Sequence, residues 1–386
     1  MRILLANHTG YWSGAEVALI RLAAGLSNDH PIAVACPTQG RLATAVAEAG
    51  IRHIPLPPTD VSLRPHPLLT PVGVGQLMVA GAALRVAAAR HAADVIHANS
   101  LRSGLSAVIA ARLGAPPVVV QVHEHLPDSR LGRATRKAIA RSAAGVVAVT
   151  RYTAENFNDG LPGAPAQPLY ISIDHSRFDP DKVEAAPLRQ ELGLPEDSVL
   201  IGEVAQITPW KGQDTAIRML AAIRRVRPDV HLVLVGDVAF KTRFTRFDNE
   251  RYLADLHSLI ADLGLRDAVH FLGHRRDVPA VLRALHLSVL PSWSEPFGTA
   301  AAESMAMGTP PIVGSVGGVP EYVEDGRSGL VRPPDDPEAW ANGALELLAD
   351  PQRLAEMGRR ARQTAAGFTD AVYAELMLEA YERAIG

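Results

Sequence analysis

Cysteine is almost absent from this chain of 386 residues, in which Cys36 stands alone. A single cysteine cannot form an internal disulfide, so a cysteine-stapled secreted scaffold and a thiolate zinc site are both excluded. Long hydrophobic runs are missing too, because no stretch of about 18 apolar residues occurs, and we expect no transmembrane helix. The first eight residues turn polar too soon for a signal peptide. These absences predict a soluble protein of the reducing cytoplasm.

The usual nucleotide-binding motifs are also missing. The segment from Gly73 to Met78 lacks the third glycine of the dinucleotide fingerprint and follows prolines instead of a strand, which argues against a Rossmann dehydrogenase. No Gly-Lys-Ser or Gly-Lys-Thr sequence is present, so a P-loop is excluded. Aromatic residues make up only 5% of the chain, and no aromatic stripe accompanies its arginines, which disfavours nucleic acid as a partner.

What the chain does have is a series of short apolar runs alternating with helix-like segments, the pattern of parallel strands joined by crossover helices. Most residues of each run are apolar, as in a strand buried on both faces. The predicted strands are 3–6, 32–35, 95–98, 118–122, 146–149, 199–204, 230–235, 269–272, 287–290, 311–313 and 329–331. The sequence therefore predicts the α/β class, with two doubly wound parallel-sheet domains.

The domain boundaries follow from composition. We expect an N-terminal domain over residues 1–178, a linker rich in proline and glycine over 179–198, and a C-terminal domain over 199–368. The last segment, 369–386, is predicted to be an amphipathic helix that could pack back on the N-terminal domain through Val372, Leu376, Leu378 and Tyr381. Ligands of doubly wound sheets bind at the carboxyl ends of the strands, so the loops there are the candidate sites.

The net charge of -3 conceals an asymmetry. Up to Arg177 the chain holds 16 Lys and Arg against 10 Asp and Glu, whereas the remainder holds 22 against 31. The first part thus carries +6 and the second -9. This difference indicates that the two parts have different partners.

A candidate anion site follows the strand predicted at 287–290. The turn at Pro296 and Gly298 leads into a helix that begins near Thr299, so the backbone N–H groups of Gly298, Thr299 and Ala300 would point at a ligand with the helix dipole behind them. Glu295 before the turn and Glu303 inside the helix would suit the hydroxyl groups of a sugar or ribose. The alternative is a capped helix with two solvated glutamates.

The glutamate pair, with Pro296-Phe297-Gly298 after Glu295, resembles the signature of the retaining glycosyltransferases of glycosyltransferase family 4. Further matches occur in the family's order along the C-terminal domain. They are Lys211-Gly212, Val235-Gly236-Asp237, Phe271-Leu272-Gly273, Gly317-Gly318-Val319-Pro320-Glu321 and Asp325-Gly326-Arg327-Ser328-Gly329-Leu330. The resemblance implies the GT-B fold, in which two Rossmann-like domains face each other across a cleft.

In the N-terminal domain the match is looser. Ser13-Gly14-Ala15-Glu16 resembles the family's glycine-rich loop, and His123 resembles its histidine after a strand. Gly14 would let the backbone approach a phosphate, and the alternative is an ordinary turn glycine. His123 would contact the donor sugar, and the alternative is a histidine satisfied at the end of its strand.

Two positions depart from the family pattern. Gln206 stands where members usually carry arginine, and Ile171-Ser172 replaces the usual Asn-Gly ahead of Ile173-Asp174. Gln206 can hydrogen-bond a phosphate oxygen but brings no charge. Stabilisation of the leaving group would therefore depend on Lys211 and the helix end.

The resemblance implies transfer of a sugar from a nucleoside diphosphate sugar, most simply a UDP- or GDP-sugar, to an acceptor hydroxyl with retention of configuration. It implies no metal and no cofactor. Lys211, His123 and Glu295 would be the catalytic residues. The donor would be bound by Gly14, Gln206, Phe297, Gly298, Thr299, Ala300 and Glu303.

The acceptor is expected on the N-terminal domain. Six basic residues and no acidic one lie between Ser129 and Arg151. They could meet anionic lipid headgroups as a peripheral contact at the inner membrane face, bind a phosphorylated or lipid-linked acceptor, or form a solvated helix face. The candidate acceptor-binding residues are Glu16, His125, Arg130 and Arg133.

Two other functions use the same features. A GT-B sugar-nucleotide epimerase or hydrolase would need the donor alone, and a catalytically silent partner would bind the nucleotide sugar without turnover. The segment from Val238 to Tyr252 is longer than the family usually has at this place, and it is either a surface insertion or a lid or acceptor element.

Overall fold

The computed structural model describes residues 1–59, 69–238 and 247–386, and the chain divides into two compact units. Unit 1 comprises Met1–Ser172 together with Phe368–Gly386, and unit 2 comprises Ile173–Gly367. Each unit is built on one parallel sheet with helices packed against it. The predicted α/β class with two doubly wound parallel-sheet domains is confirmed.

Unit 1 contains a seven-stranded sheet. Its strands are β1 (Ile3–Ala6), β2 (Ile32–Cys36), β3 (Arg52–Pro55), β4 (Val95–Ala98), β5 (Val118–Val122), β6 (Gly145–Ala148) and β7 (Ala166–Pro168). Its helices are α1 (Gly14–Leu26), α2 (Arg41–Glu48), α3 (Leu69–His91), α4 (Leu101–Arg112), α5 (Arg130–Ser142), α6 (Arg151–Asn158) and, from the end of the chain, α14 (Asp370–Ile385). The strand order is β3-β2-β1-β4-β5-β6-β7, with every neighbouring pair parallel.

Unit 2 contains a six-stranded parallel sheet. Its strands are β8 (Val199–Val204), β9 (Val230–Val235), β10 (Val269–Gly273), β11 (Leu287–Leu290), β12 (Pro311–Gly314) and β13 (Leu330–Arg332), in the order β10-β9-β8-β11-β12-β13. Its helices are α7 (Leu188–Glu191), α8 (Gln213–Arg224), α9 (Asn249–Asp262), α10 (Val278–Ala284), α11 (Thr299–Ala306), α12 (Pro337–Ala349) and α13 (Pro351–Ala365), with 3₁₀ turns at Pro209–Lys211 and Val319–Glu321. Of the predicted insertion at 238–252, residues 239–246 lie outside the described part.

The central strands form where the sequence predicts them, because their side chains are buried on both faces. The sequence does not predict β3 and β7, which lie at the two edges of the first sheet. Each has only one buried residue, so neither contains an apolar run. These strands form because a neighbouring strand offers backbone hydrogen bonds, and such pairing depends on the tertiary structure and not on the local sequence.

The unit boundary falls after Ser172, ahead of the position expected at 178, and the segment expected to be a linker over 179–198 packs with unit 2. The backbone N–H of Ala186 donates to Ala280 O at 2.9 Å, which ties the segment to α10. Arg362 of α13 donates to Asp179 and Asp181 at 3.2 and 2.7 Å. These bonds make the segment part of a folded unit.

Helix α14 belongs to unit 1 and packs against α1 and strands β4, β5 and β6. Tyr373 Oη donates to Gln121 Oε1 at 2.9 Å, and Tyr381 Oη lies 3.0 Å from His97 Nδ1. Tyr381 is buried as predicted, whereas two other predicted packing positions, Val372 and Leu376, are 46% and 38% exposed. The buried face is therefore rotated toward Tyr373, whose hydroxyl finds a partner in the sheet.

Helix α3 is more apolar than the sequence analysis, which expected no transmembrane helix, suggested. Its window Val72–His91 has a mean hydropathy of 1.6, which by length and composition could cross a membrane, although only 39% of that window is buried. Core helices of soluble proteins also pass such a test, but they are mostly buried. Most of the window therefore faces outward.

Candidate functional site

In unit 2 the strand order reverses between β8 and β11, which lie side by side although they are distant in sequence. Such a switch point, at the carboxyl ends of the strands, is where doubly wound sheets bind ligands. The loop after β8 carries Gln206 and ends in the 3₁₀ turn at Lys211. The loop after β11 carries Glu295 and leads into α11. The structure thus brings together two of the predicted site segments.

Lys211 and Glu295 form an ion pair. Lys211 Nζ lies 2.5 Å from Glu295 Oε2, with the two side chains only 13% and 11% exposed. Ser292 Oγ donates to the same oxygen at 3.2 Å, and the ammonium lies 4.1 Å from the centre of the Trp210 ring. Because water is largely removed, each charge depends on these partners. The pair holds the Lys211 ammonium against the loop that leads into α11, with Glu295 balancing its charge.

The turn into α11 is held by glycine and tyrosine. Gly298 has φ 76°, in the left-handed region, and a Cβ there would lie 2.4 Å from Val319 Cγ2. Tyr322 Oη donates to Phe297 O at 2.6 Å and lies 3.0 Å from Gly298 O. The Phe297 and Tyr322 rings are 5.4 Å apart. Glycine is required here because any side chain would push the turn away from Val319.

The N-terminus of α11 can bind an anion. The helix has no side-chain cap, and its N-terminal residues Thr299 and Ala300 are half-buried. Their N–H groups precede the first intrahelical donors, so no helix carbonyl accepts from them. Glu303, also half-buried, lies one turn after Thr299 on the same face of the helix. The helix end and Lys211 together supply positive potential, and Glu303 supplies an acceptor for hydroxyl groups.

The glycine pair predicted as a family motif positions Glu295. Gly318 N donates to Glu295 O at 2.7 Å, and Glu295 also pairs with Gly317 in an isolated bridge. Gly317 has φ 113°, and a Cβ would lie 2.5 Å from Glu295 O. The motif therefore works through its backbone, by letting this loop lie directly against the loop that carries the ion pair.

Glu203 was missed from the sequence. It is 1% exposed in β8, and neither of its carboxyl oxygens has a hydrogen-bond partner among the described residues. Burial raises the pKa of Glu203 well above its usual value, with Lys211 opposing the shift and Asp214 and Glu295 reinforcing it. The neutral acid is therefore favoured. A single glutamate within an otherwise apolar strand was the sequence feature that could have identified Glu203 as unusual.

Gln206, the departure from the family pattern, lies in the loop after β8. Its backbone oxygen accepts from Gln213 Nε2 at 3.0 Å, which joins the loop to the first residue of α8. The side chain is half-buried and carries no charge. Lys211 is therefore the positive side chain that the loop after β8 brings to the switch point.

Unit 1 has its own switch point between β1 and β4, and β5 lies beside β4. Asn7, Asn99 and His123 directly follow these three strands. Asn99 Nδ2 donates to Ala15 O at 3.0 Å and lies 3.4 Å from Asn7 Oδ1, so Asn99 Oδ1 is left to accept from His123 Nε2 at 3.1 Å. This network places the proton of the neutral ring on Nε2 and leaves Nδ1 as an acceptor.

Burial lowers the pKa of His123 to about 3, with His97 adding to the shift. The ring is therefore neutral at physiological pH. The sequence analysis predicts His123 as a site residue but does not identify Asn7 and Asn99, which support it. Their position directly after predicted strands was the signal that could have found them.

Glu16 and Gly14 lie at the start of α1. Glu16 is 4% exposed, and its carboxylate accepts from Ser13 N at 3.0 Å, from Ser13 Oγ at 2.6 Å and from Asn7 Nδ2 at 3.1 Å. Gly14 is the exposed first residue of the helix. The structure thus places Glu16 as the residue that ties the loop to the helix, while Gly14 presents backbone to solvent.

The other predicted acceptor residues lie after β5 and on α5. His125 Nε2 lies 3.1 Å from Asn156 Nδ2, and its ring stacks on Tyr152 at 5.2 Å. Arg130 and Arg133 are exposed in the first turn of α5, and Arg133 pairs with Asp128 at 2.5 Å. Of the basic residues in this segment, Arg136 alone on α5 is buried.

Arg136 is 1% exposed, so it is not part of the basic surface that the sequence predicts. Its guanidinium donates to Asn156 O and lies 3.6 Å from Asp159 and 3.8 Å from Asp128. It joins α5 to the end of α6 and is a structural residue. Among the described residues, no group of three or more His, Cys, Asp and Glu is placed to hold a metal ion.

Two family models match the chain. One, described as glycosyl transferases group 1, matches residues 185–364, and the other, described as glycosyltransferase family 4, matches residues 12–177. The D-inositol 3-phosphate glycosyltransferase of Stackebrandtia nassauensis is 33% identical over 313 residues, which are 76% of this chain and 68% of that protein. The GDP-mannose-dependent alpha-(1-6)-phosphatidylinositol monomannoside mannosyltransferase of Mycolicibacterium smegmatis is 32% identical over 67% of each chain.

A solved structure is similar over nearly the whole chain. The Anabaena protein Alr3699/HepE in complex with UDP-glucose superposes with a TM-score of 0.81 and 26% identity over 98% of each chain. The sucrose-phosphate synthase of Thermosynechococcus elongatus, at 21% identity, has the same fold with a TM-score of 0.78 over 99% of this chain and 98% of the other.

Proposed function

This chain belongs to glycosyltransferase family 4, with the GT-B fold, and we propose that it transfers a hexosyl group with retention of configuration and without a metal ion. It is an enzyme of the hexosyltransferase type. The donor is a nucleoside diphosphate sugar, and the acceptor provides a hydroxyl group. Among the relatives described above, none is an epimerase or a hydrolase.

The observation that carries the proposal is the Lys211–Glu295 pair beside the uncapped start of α11. When the bond between the sugar C1 and the diphosphate oxygen breaks, negative charge grows on the leaving group. Lys211 and the N–H groups of Thr299 and Ala300 stabilise that charge from fixed positions, which is how preorganised sites lower a barrier. These groups supply the positive charge that a metal ion supplies in other transferases.

Retention results when the acceptor attacks C1 on the same face from which the diphosphate departs, a route that needs no protein nucleophile. The acceptor oxygen forms its bond to C1 on the face that the diphosphate leaves, and a leaving phosphate oxygen takes the hydroxyl proton. Lys211 balances the charge during this exchange. Glu303 binds ribose hydroxyls and Glu295 binds sugar hydroxyls, which fits their places on either side of the turn at Gly298.

In unit 1 the residues with proposed roles are Gly14 and His123. Because Asn99 holds the proton on Nε2, His123 accepts a hydrogen bond from a sugar hydroxyl at Nδ1 and brings no positive charge. The exposed Gly14 backbone can approach a phosphate. For the acceptor we propose a phosphorylated alcohol bound near His125, Arg130 and Arg133, because relatives are named for inositol phosphates and these arginines are exposed.

For the donor we propose a UDP- or GDP-sugar, supported by the UDP-glucose complex of one relative and the GDP-mannose named for another. The test is thermal stability with UDP-, GDP- and ADP-sugars, because a ligand at 100 times its Kd stabilises by about 2.7 kcal/mol. Product NMR then reports the anomeric configuration, and EDTA tests the need for metal. An inverted product, loss of activity in EDTA, or free sugar as the product would each contradict the proposal.

A further inference from the structure

Helices α3, α4 and α5 form one layer of unit 1, because α3 packs against α4 and α4 against α5. Two hydrogen bonds tie their ends together. Arg85 Nε donates to Leu113 O at 2.6 Å, and Arg112 Nη2 donates to Ser142 Oγ at 3.3 Å. Helix α14 covers strands β4 to β6 elsewhere in the unit. The outer side of the α3–α5 layer therefore forms one continuous surface.

The α3 part of this surface is apolar. Val72, Val74, Met78, Val79 and Val86 are between 44% and 59% exposed, on the side of the helix opposite its buried Leu77, Ala80 and Leu84. An amphipathic helix of a water-soluble domain normally turns polar residues outward. From Val72 onward, where the side chains of α3 are described, the exposed polar residues are Arg85 and Arg90, both near its C-terminal end.

The three helices supply cations and no anions of their own. Eight of the nine Lys and Arg in α3, α4 and α5 contribute to the surface, since Arg136 is buried. Two of the eight have acidic partners from outside these helices, because Arg102 pairs with Glu124 and Arg133 pairs with Asp128. On α5, Arg130, Arg133, Lys137 and Arg141 are exposed at a spacing that places them on one face. The exposed cations of α5 therefore lie in the same helix layer as the apolar face of α3, with α4 between them.

From this juxtaposition we infer that the outer face of the α3–α5 layer binds the surface of an anionic lipid bilayer, with α3 buried at the level of the headgroups and the α5 cations against lipid phosphates. An apolar helix face flanked by cations is the combination that holds proteins at such interfaces. A second copy of this chain suits the face less well, because an isologous contact would place the cationic layer against itself. A protein partner would be expected to use aromatic anchors, and the exposed apolar residues of α3 are all aliphatic.

The placement has a consequence for the acceptor. Helices α3 and α5 begin after the carboxyl ends of strands β3 and β5, which is the edge of the sheet that carries Asn99 and His123. With the helix layer lying on a membrane, this edge lies close to the headgroups. An acceptor hydroxyl carried on a lipid headgroup would then reach the enzyme without leaving the bilayer.

The test is co-sedimentation of the whole protein with two kinds of vesicle, one of phosphatidylcholine alone and one of phosphatidylcholine mixed with phosphatidylglycerol. Binding is expected only to the anionic vesicles, and it should weaken as salt is added. Replacing Met78 and Val79 together with glutamine should reduce binding about a hundredfold, since the lost burial of each apolar side chain weakens binding about tenfold. Lys137→Gln and Arg141→Gln should each reduce it about fivefold.

Matched controls lie on α14. Val372→Gln removes a similarly exposed apolar side chain, and Arg383→Gln removes a similarly exposed cation, so neither should change vesicle binding. No donor or acceptor is present, so the result does not depend on the proposed transfer reaction. Equal binding to both vesicles, no binding, or equal loss in the controls would overturn the inference. Light scattering that shows a dimer for the unsubstituted protein and a monomer for the Met78/Val79 variant would also overturn the inference, because the face would then join two copies of the chain.

Discussion

Mild acid is expected to unfold unit 1 because the fold keeps three of its histidines in the neutral form. Burial lowers the pKa of His8 and His123 to about 3 and that of His97 to about 4. In the unfolded chain each would titrate near the usual value of about 6.5. A histidine with a lowered pKa stabilises the fold fully above about pH 6.5, and that stability is lost as the pH falls toward the folded value.

The pH dependence of the free energy of unfolding follows from the number of protons that the unfolded chain binds in excess of the folded unit. At about pH 5 the unfolded chain binds roughly three more protons at these sites than the folded unit, so the free energy of unfolding should fall by about 4 kcal/mol per pH unit. A unit with about 5 kcal/mol of stability would therefore be close to unfolding about two pH units below neutrality, and one with about 10 kcal/mol about three. Most carboxylates remain ionised in the upper part of that range.

Hydrogen exchange measured by mass spectrometry between pH 6.5 and 5 gives the opening free energy of β1, β4 and β5 separately from unit 2. His97→Gln should reduce the slope by about 1.4 kcal/mol per pH unit, since one proton is removed from the count. His274→Gln, at an exposed position of unit 2, should leave it unchanged. A slope below about 1 kcal/mol per pH unit in the unsubstituted protein would refute the reasoning.

Three predictions concern the site in unit 2. Lys211→Met should lower kcat about 10²–10³-fold and, by leaving buried Glu295 unpaired, destabilise the protein by about 3–5 kcal/mol. The double variant with Glu295→Gln should recover stability in thermal unfolding but not turnover, and recovery of both would show that the pair is only structural. Gly298→Ala should weaken UDP-sugar binding in calorimetry at least tenfold, because its Cβ would displace the start of α11, whereas Gly326→Ala has the same positive φ with nothing within 4 Å and should cost only stability. Glu303→Gln should raise the donor KM about 10–100-fold with little change in kcat, and a loss confined to kcat would contradict ribose binding.

The sequence predicts the centre of each sheet well because a strand buried on both faces must be apolar. It fails at β3 and β7, whose residues are mostly exposed and whose pairing depends on a neighbour. It also misjudges the packing face of α14, where hydrophobicity favours Val372 but a hydrogen bond to Gln121 selects Tyr373. Buried polar contacts between distant segments are not encoded in local periodicity.

The same limit applies to the candidate site. Glycine and glutamate spacing locates the turn into α11 because that turn is local in sequence. The Lys211–Glu295 pair joins residues 84 apart, and the sequence supplies each residue but not their contact. Charge counting is misleading for Arg136, which is buried, and for Glu16, which holds the start of α1. Whether a charged residue faces a ligand depends on burial, and the sequence does not show burial.

The return of α14 to unit 1 has a consequence for synthesis on the ribosome. The residues that complete unit 1 are made only after all of Ile173–Gly367, which at ordinary elongation rates of about 5–20 residues per second takes on the order of 10–40 s. During that interval Gln121 and His97 lack their tyrosine partners, and the face of the sheet that α14 covers is open to water. The first part of the chain to emerge is therefore among the last to finish folding, and it passes through a period in which its sheet can be bound by a chaperone or can aggregate.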